Sequence, residues 1–208
     1  MKKKLIAVTA AVCALAVLVI GSTFAFFTSK DAAENTFTMG NLKISVTEDS
    51  KTGEGMKTGT QTEKGYEYTN GLPGDTFSKE PSVNNIGEAA AWIRVKIDVA
   101  DTTAEYASEA DQAAMAANLA ALKADITDKM IASGAWDTKD DDGYLYYTVA
   151  PLAKDASVQL FETVEIPASW GNEAANTSFS ISISAQGVQS ENNGATWDAA
   201  DWSVNAAF

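Results

Sequence analysis

The chain has 208 residues, 46% hydrophobic and 21% charged, enough for one domain of ordinary size with a real core. Its net charge of −13 repels phosphate backbones, so nucleic acid is not an expected partner. It contains no histidine and a single cysteine, Cys13, which excludes Ser-His-Asp and Cys-His nucleophiles, histidine-based zinc sites and an internal disulfide.

The first residues read as an export leader. Lys2, Lys3 and Lys4 form a basic start, and Leu5 to Ile20 is an almost unbroken apolar run. Thr23 and Ala25 then stand three residues and one residue before a cut between Ala25 and Phe26. Basic start, apolar middle and small-residue exit are the three parts of a secretory signal. Residues 1–25 are therefore expected to leave, and 26–208 to form one secreted domain. The same stretch, about 23 residues from Leu5 to Phe27, is also long enough to stay as a membrane anchor. Contact with a membrane is expected only through this uncleaved leader. Cys13 follows bulky Val12, a poor context for lipid attachment, and leaves with the leader.

Leu42, Ile44 and Val46 alternate with polar residues and predict a half-buried strand. Glu48 to Glu63 lacks apolar periodicity and predicts a loop. Gly53 to Thr58 has Met56, not glycine, directly before Lys57 and no apolar strand ahead of it, so it is not a phosphate loop. Leu72-Pro73-Gly74-Asp75 predicts a turn, since proline presets φ and glycine supplies a positive φ. Phe77 to Val83 predicts a strand whose Pro81 suggests an edge or a bulge. Asn84 to Gly87 predicts another turn. In Ala91 to Val99 the pattern sends Ile93, Val95, Ile97 and Val99 to the core and Arg94, Lys96 and Asp98 to water.

Residues 104–131 change period. Met115, Leu119, Leu122, Ile126 and Met130 recur at spacings of three and four, the stripe of an amphipathic helix. The acidic run Asp137 to Gly143 invites a calcium reading. With Asp140 and Asp142 as third and fifth ligands of a twelve-residue loop, Val149 falls where a bidentate glutamate is required. A hairpin turn is expected instead, and a surface site for a divalent ion stays open. Val158 to Val164 predicts a strand. Thr177 to Ala185 predicts another, with Phe179, Ile181 and Ile183 on one face and serines on the other. Trp197 and Trp202 lie in a predicted terminal turn or short helix that packs on the domain. Seven or eight strands with one inserted helix argue for a mainly β fold, a jelly roll or β-sandwich. No residue pattern marks a catalytic centre, a cofactor site or a metal site.

Several blocks resemble the TasA/camelysin family of Gram-positive bacteria. They are the leader through Phe24-Ala25-Phe26-Phe27-Thr28, the run Asn35 to Leu42, Leu72 to Asp75, and Asn84 to Gly87. Gly143 to Tyr147, Gly171 to Glu173 and Ala185 to Gln189 resemble later strands of clostridial-type members. The resemblance implies export through a SipW-type signal peptide by a dedicated signal peptidase. It also implies a jelly-roll fold and a structural role in a biofilm matrix or at the cell surface. In such fibres a freed N-terminal segment pairs with the sheet of the next subunit, which is β-strand addition. The matching segment here is residues 26–37, with Phe26, Phe27 and Phe37 as apolar anchors and a small, polar Ala32-Ala33-Glu34-Asn35 between them. The expected partners are then other copies of this chain, with further matrix proteins open. The same aromatics could instead fold back on their own domain. A monomeric surface adhesin is the alternative function. A camelysin-like metalloprotease is a third, set against the missing histidines.

Overall fold

The structure is a computed structural model that describes residues 41–63 and 65–204. The leader, the cleavage pair Ala25–Phe26 and the expected assembly segment 26–37 lie outside the described residues. The chain divides into Met1–Met39 and Gly40–Phe208, and only the second is described below.

Gly40–Phe208 is a β-sandwich with one inserted helix. The first layer contains β1 (Ile44–Asp49), β2 (Met56–Lys57), β5 (Thr76–Ser78), β6 (Glu80–Asn85), β10 (Ser157–Gln159) and β11 (Thr163–Glu165). They pair as β1-β6-β10 and β11-β5-β2. The two groups join end to end, because Lys79 N donates to Glu162 O at 3.0 Å and Leu160 N to Pro81 O at 2.9 Å. The second layer is β12-β7-β9-β8, from β7 (Ala91–Asp101), β8 (Trp136–Thr138), β9 (Leu145–Tyr147) and β12 (Phe179–Gln189). A small hairpin, β3 (Thr60–Thr62) with β4 (Gly65–Glu67), stands apart.

Helix α1 (Glu109–Ala132) follows β7. It begins at Ser108, whose hydroxyl accepts from Asp111 N at 3.1 Å and so satisfies one orphan donor of the first turn. The expected start at 104 is five residues early, because residues 101–106 close the strand instead. Tyr106 donates to Asp101 Oδ2 at 2.6 Å and Thr103 Oγ1 donates to Ser178 O at 3.1 Å. The helix ends at Gly134, with φ of +76° and a bond from Gly134 N to Ile131 O. Its stripe is as read from the sequence: Met115, Leu119, Leu122, Ile126 and Met130 are all buried. They share one core with Phe77 and Val83 of the first layer and Ile93, Val95 and Ile97 of the second.

Several expectations need correction. Twelve strands, most of them short, replace seven or eight among the described residues, since predicted runs break at Lys79 and at residues 160–162. The stretch Glu48 to Glu63 is not wholly a loop, for it supplies the end of β1, then β2 and β3. Pro81 sits in a central strand, not an edge. Its carbonyl faces the β10 side, so its missing N–H also faces that side, just past the last paired residue of β10, and no bond to β1 is lost. Asn84 and Asn85 end β6 rather than forming the turn. Val46 is 39% exposed although it alternates with buried Ile44, because β1 is the edge of its layer. Arg94 does not face water, as described next.

Candidate functional site

The chain's most exceptional strand is β12. It pairs with β7 over its entire length, Phe179↔Asp101 through Gln189↔Ala91. Among the described residues it has a strand partner on this side only and stands at the edge of its layer. Phe179, Ile181 and Ile183 are half-buried against the core, while Ser180, Ser182 and Ser184 are exposed. At its C-terminal end β12 meets the other layer's edge. A Cβ on Gly187 would lie 3.3 Å from Ile44 Cγ2, so a larger residue there would press the Ile44 side chain of β1 back by a few tenths of an ångström. No residue from Asn176 to Ser190 is charged, in a chain of net charge −13. Natural edge strands are commonly blunted by lysine, proline or an inward charge, and this one carries none of these.

The outer face of the second layer carries a cation–aromatic cluster. The Arg94 guanidinium lies 4.0 Å from the Tyr144 ring centroid and 4.7 Å from that of Trp202. Its Nε and Nη2 donate to Gln186 Oε1 at 2.9 and 2.7 Å, and its Nη1 donates to the Tyr146 hydroxyl at 2.9 Å. The Tyr146 hydroxyl donates in turn to Asp142 Oδ2, which also faces Arg94 Nη1 at 3.3 Å. Burial first, and then the bond to Asp142, push the Tyr146 phenol above its ordinary pKa. Trp92, Val188, Ala200 and Trp202 complete this second apolar cluster. It fastens the C-terminal turn to the sheet, as the two tryptophans suggest in the sequence. The alternation pattern marks Arg94 only as a solvent-facing position. Its neighbour Tyr144 and the distant Trp202 are what cover it, and that pairing has no local signature.

The acidic loop is a hairpin turn. β8 and β9 pair across it, Asp140, Asp141 and Gly143 take positive φ, and Asp142 Oδ1 accepts from Tyr144 N at 2.9 Å. Asp142 is thus committed to Arg94, Tyr146 and its own turn. Among the described residues no group of three His, Cys, Asp or Glu side chains is placed to hold a metal ion. A shallow cleft of about 330 Å³ beside β1 and β6 is lined by Ser45, Thr47, Asn84 and Asp155, and it assembles no reactive group. No helix among the described residues is long and apolar enough to cross a membrane.

Residues 1–117 match the family described as camelysin metallo-endopeptidase, a match over more than half of the chain. The chain belongs to the camelysin family. No curated protein matches it. The match covers residues 1–40 and the strands β1 to β7, and reaches into α1. It therefore includes the Pro73-Gly74 and Asn85–Gly87 turns that the sequence reading singled out.

The camelysin name implies a catalytic metal, and the donor chemistry can be tested against it. The chain has no histidine, and its one cysteine is Cys13. Carboxylates are the remaining hard donors; among the described residues no three of them are placed to share an ion, and Asp142 of the acidic loop is already committed. The described residues do not fit a peptidase metal centre.

The family's two turns have structural explanations instead. Leu72 to Asp75 is a type II turn, with Gly74 at φ +90° and Asp75 N donating to Leu72 O at 3.0 Å. Asp75 Oδ2 accepts from Leu72 N and pairs with Lys57, and these contacts hold its carboxyl below the usual range, the Lys57 bond foremost. Asn85 is fully buried. Its Nδ2 donates to Ala89 O and Leu152 O, both at 2.8 Å, and its Oδ1 accepts from Gly87 N at 3.0 Å.

Proposed function

We propose that this camelysin-family protein is a secreted structural subunit of an extracellular matrix or cell surface, and not an enzyme. A signal peptidase cuts between Ala25 and Phe26. The freed segment 26–37 of one copy then adds as a strand to the β12 edge of the next, along Phe179 to Ala185. The observation that carries this reading is the long, uncharged edge of β12 with its half-buried isoleucines. A strand added there gains main-chain hydrogen bonds of about 1 kcal/mol net each, and those of Phe26, Phe27 and Phe37 that fall on its inward face bury against the core. The segment 26–37 carries Lys30, Asp31 and Glu34, so it brings little charge to an uncharged edge. Other matrix proteins can use the same edge, provided they present an extended segment.

The test is electron microscopy of secreted protein whose N-terminus has been sequenced. The expected result is Phe26 at the terminus and fibres in the sample. Deletion of Phe26 to Asn35, or Ile183→Lys on the acceptor edge, leaves monomers. Fibres of the same form from the deletion variant would sink the donor-strand mechanism. Monomers from the intact secreted chain would favour the adhesin reading. A casein assay with and without chelator is expected to show no cleavage in either arm, and chelator-sensitive cleavage would overturn the non-enzymatic assignment.

A further inference from the structure

The chain contains two Asn-Gly pairs, Asn70-Gly71 and Asn193-Gly194. Asn-Gly is the dipeptide in which the main chain most readily attacks its own side chain, because glycine adds no Cβ to block the approach. The two sites differ in what surrounds them. The Asn193 amide is held at both ends: its Oδ1 accepts from Asp201 N at 2.8 Å and its Nδ2 donates to Asp201 O at 3.3 Å. Asn70 is exposed, sits at φ +57° ahead of the Leu72 turn, and its side-chain amide makes no hydrogen bond among the described residues. Its main-chain carbonyl, by contrast, accepts from Lys57 Nζ at 2.8 Å. Lys57 is itself held in place by its ion pair with Asp75.

We propose that Asn70 is a site of spontaneous deamidation assisted by Lys57, and that its main product is isoaspartate. The Gly71 nitrogen loses its proton and attacks Asn70 Cγ. A C–N bond forms, ammonia leaves, and a five-membered succinimide links both carbonyl carbons of residue 70 through the Gly71 nitrogen. Water then opens the ring. Attack at Cγ restores the ordinary chain with aspartate at 70. Attack at the main-chain carbonyl carbon frees the main-chain carboxylate and routes the chain through the side chain. One water is consumed and one ammonia released in either case, and nothing is oxidised or reduced.

Lys57 biases both steps. Its ammonium withdraws electron density from the Asn70 carbonyl, which acidifies the adjoining Gly71 N–H. It activates the same carbonyl toward water and then pairs with the carboxylate that this attack releases, a charge-assisted bond stronger than the neutral one it replaces. The product adds one negative charge and one extra main-chain carbon just before the Leu72 turn. At Asn193 the side chain must first break two hydrogen bonds, so the native fold protects it.

The experiment is incubation of the full secreted chain at mildly alkaline pH, followed by peptide mass mapping, with isoaspartate counted by isoaspartyl methyltransferase labelling. Asn70 is expected to convert many-fold faster than Asn193 in the native protein, and the two rates to converge in denaturant. Lys57→Gln is expected to slow conversion several-fold and lower the isoaspartate share, while Lys57→Arg restores both. Equal native rates at the two sites, or no conversion at Asn70, would overturn the assignment of the site. A Lys57→Gln variant with unchanged rate and product ratio would overturn the role of Lys57.

Discussion

Asn85→Ala is the most informative single change, because the residue is fully buried and every polar atom of its side chain is used. Leu152 O keeps a partner, since Ala91 N donates to it at 3.0 Å. Gly87 N does not. The backbone is tightly packed at that point, where a Cβ on Gly87 would lie 2.5 Å from Lys43 N, so water has little room to replace the lost acceptor. Three hydrogen bonds at about 1 kcal/mol net each, with a buried donor left unpaired, give a loss of about 3–5 kcal/mol. Against a typical total of roughly 5–15 kcal/mol this is a large share. Equilibrium urea unfolding followed by tryptophan fluorescence should show the midpoint falling by roughly 2 M with the slope unchanged. Asn85→Asp should be at least as damaging at neutral pH, because a carboxylate would face two carbonyl oxygens with no proton to offer. A loss under about 1 kcal/mol for the alanine variant would refute the reasoning.

Leu122→Ala should cost about 2–5 kcal/mol by opening a cavity where helix α1 meets β7, measured by the same unfolding curves. Arg94→Gln takes the cationic partner from Asp142 and removes the ring contacts to Tyr144 and Trp202; with the Arg94 and Asp142 side chains only 11% and 30% exposed, the expected loss is about 3 kcal/mol. Its near-ultraviolet circular dichroism should change with it, since Trp202 loses its cover, and an unaltered spectrum would contradict the stacking. Burial pushes the Tyr68 phenol up to about 12, with Glu48 adding to the effect and Ser50 opposing it. The folded state therefore holds this proton more tightly than the unfolded chain. Its contribution to stability is complete below pH ~10 and is lost as pH rises through the folded value. Tyr68→Phe should flatten that part of the alkaline stability profile, and an unchanged slope would rule the tyrosine out.

The two turns that carry the family likeness have a shared logic. Each brings a side chain back onto its own backbone: Asp75 onto Leu72 N, and Asn85 onto Gly87 N. Each also reaches a distant element, Lys57 in the first case and Leu152 in the second. Such residues hold the first layer's short strands in register, where a strand of two or three residues has little cohesion of its own. That accounts for both motifs without a catalytic role.

What the sequence by itself determined was whatever depends on neighbours along the chain. The alternation of β7 and β12, the stripe of α1 and the Pro73-Gly74 turn are all local periodicities or local φ preferences, and the structure keeps them. The missing histidines are likewise a fact of composition, and no folding can change them. Tertiary structure decided what depends on pairing between distant segments. Alternation in β12 says which side chains share a face, not whether the strand lies at a centre or an edge, and only its pairing with β7 alone among the described strands makes it an edge. The same holds for Val46, exposed because β1 ends its layer, and for Pro81, tolerated centrally because β10 stops short of it. Arg94 reads as a surface residue until Tyr144 and Trp202, the second more than a hundred positions away, close over it. A side chain's face is set by its own strand, but its cover is set by whatever the rest of the chain brings to it.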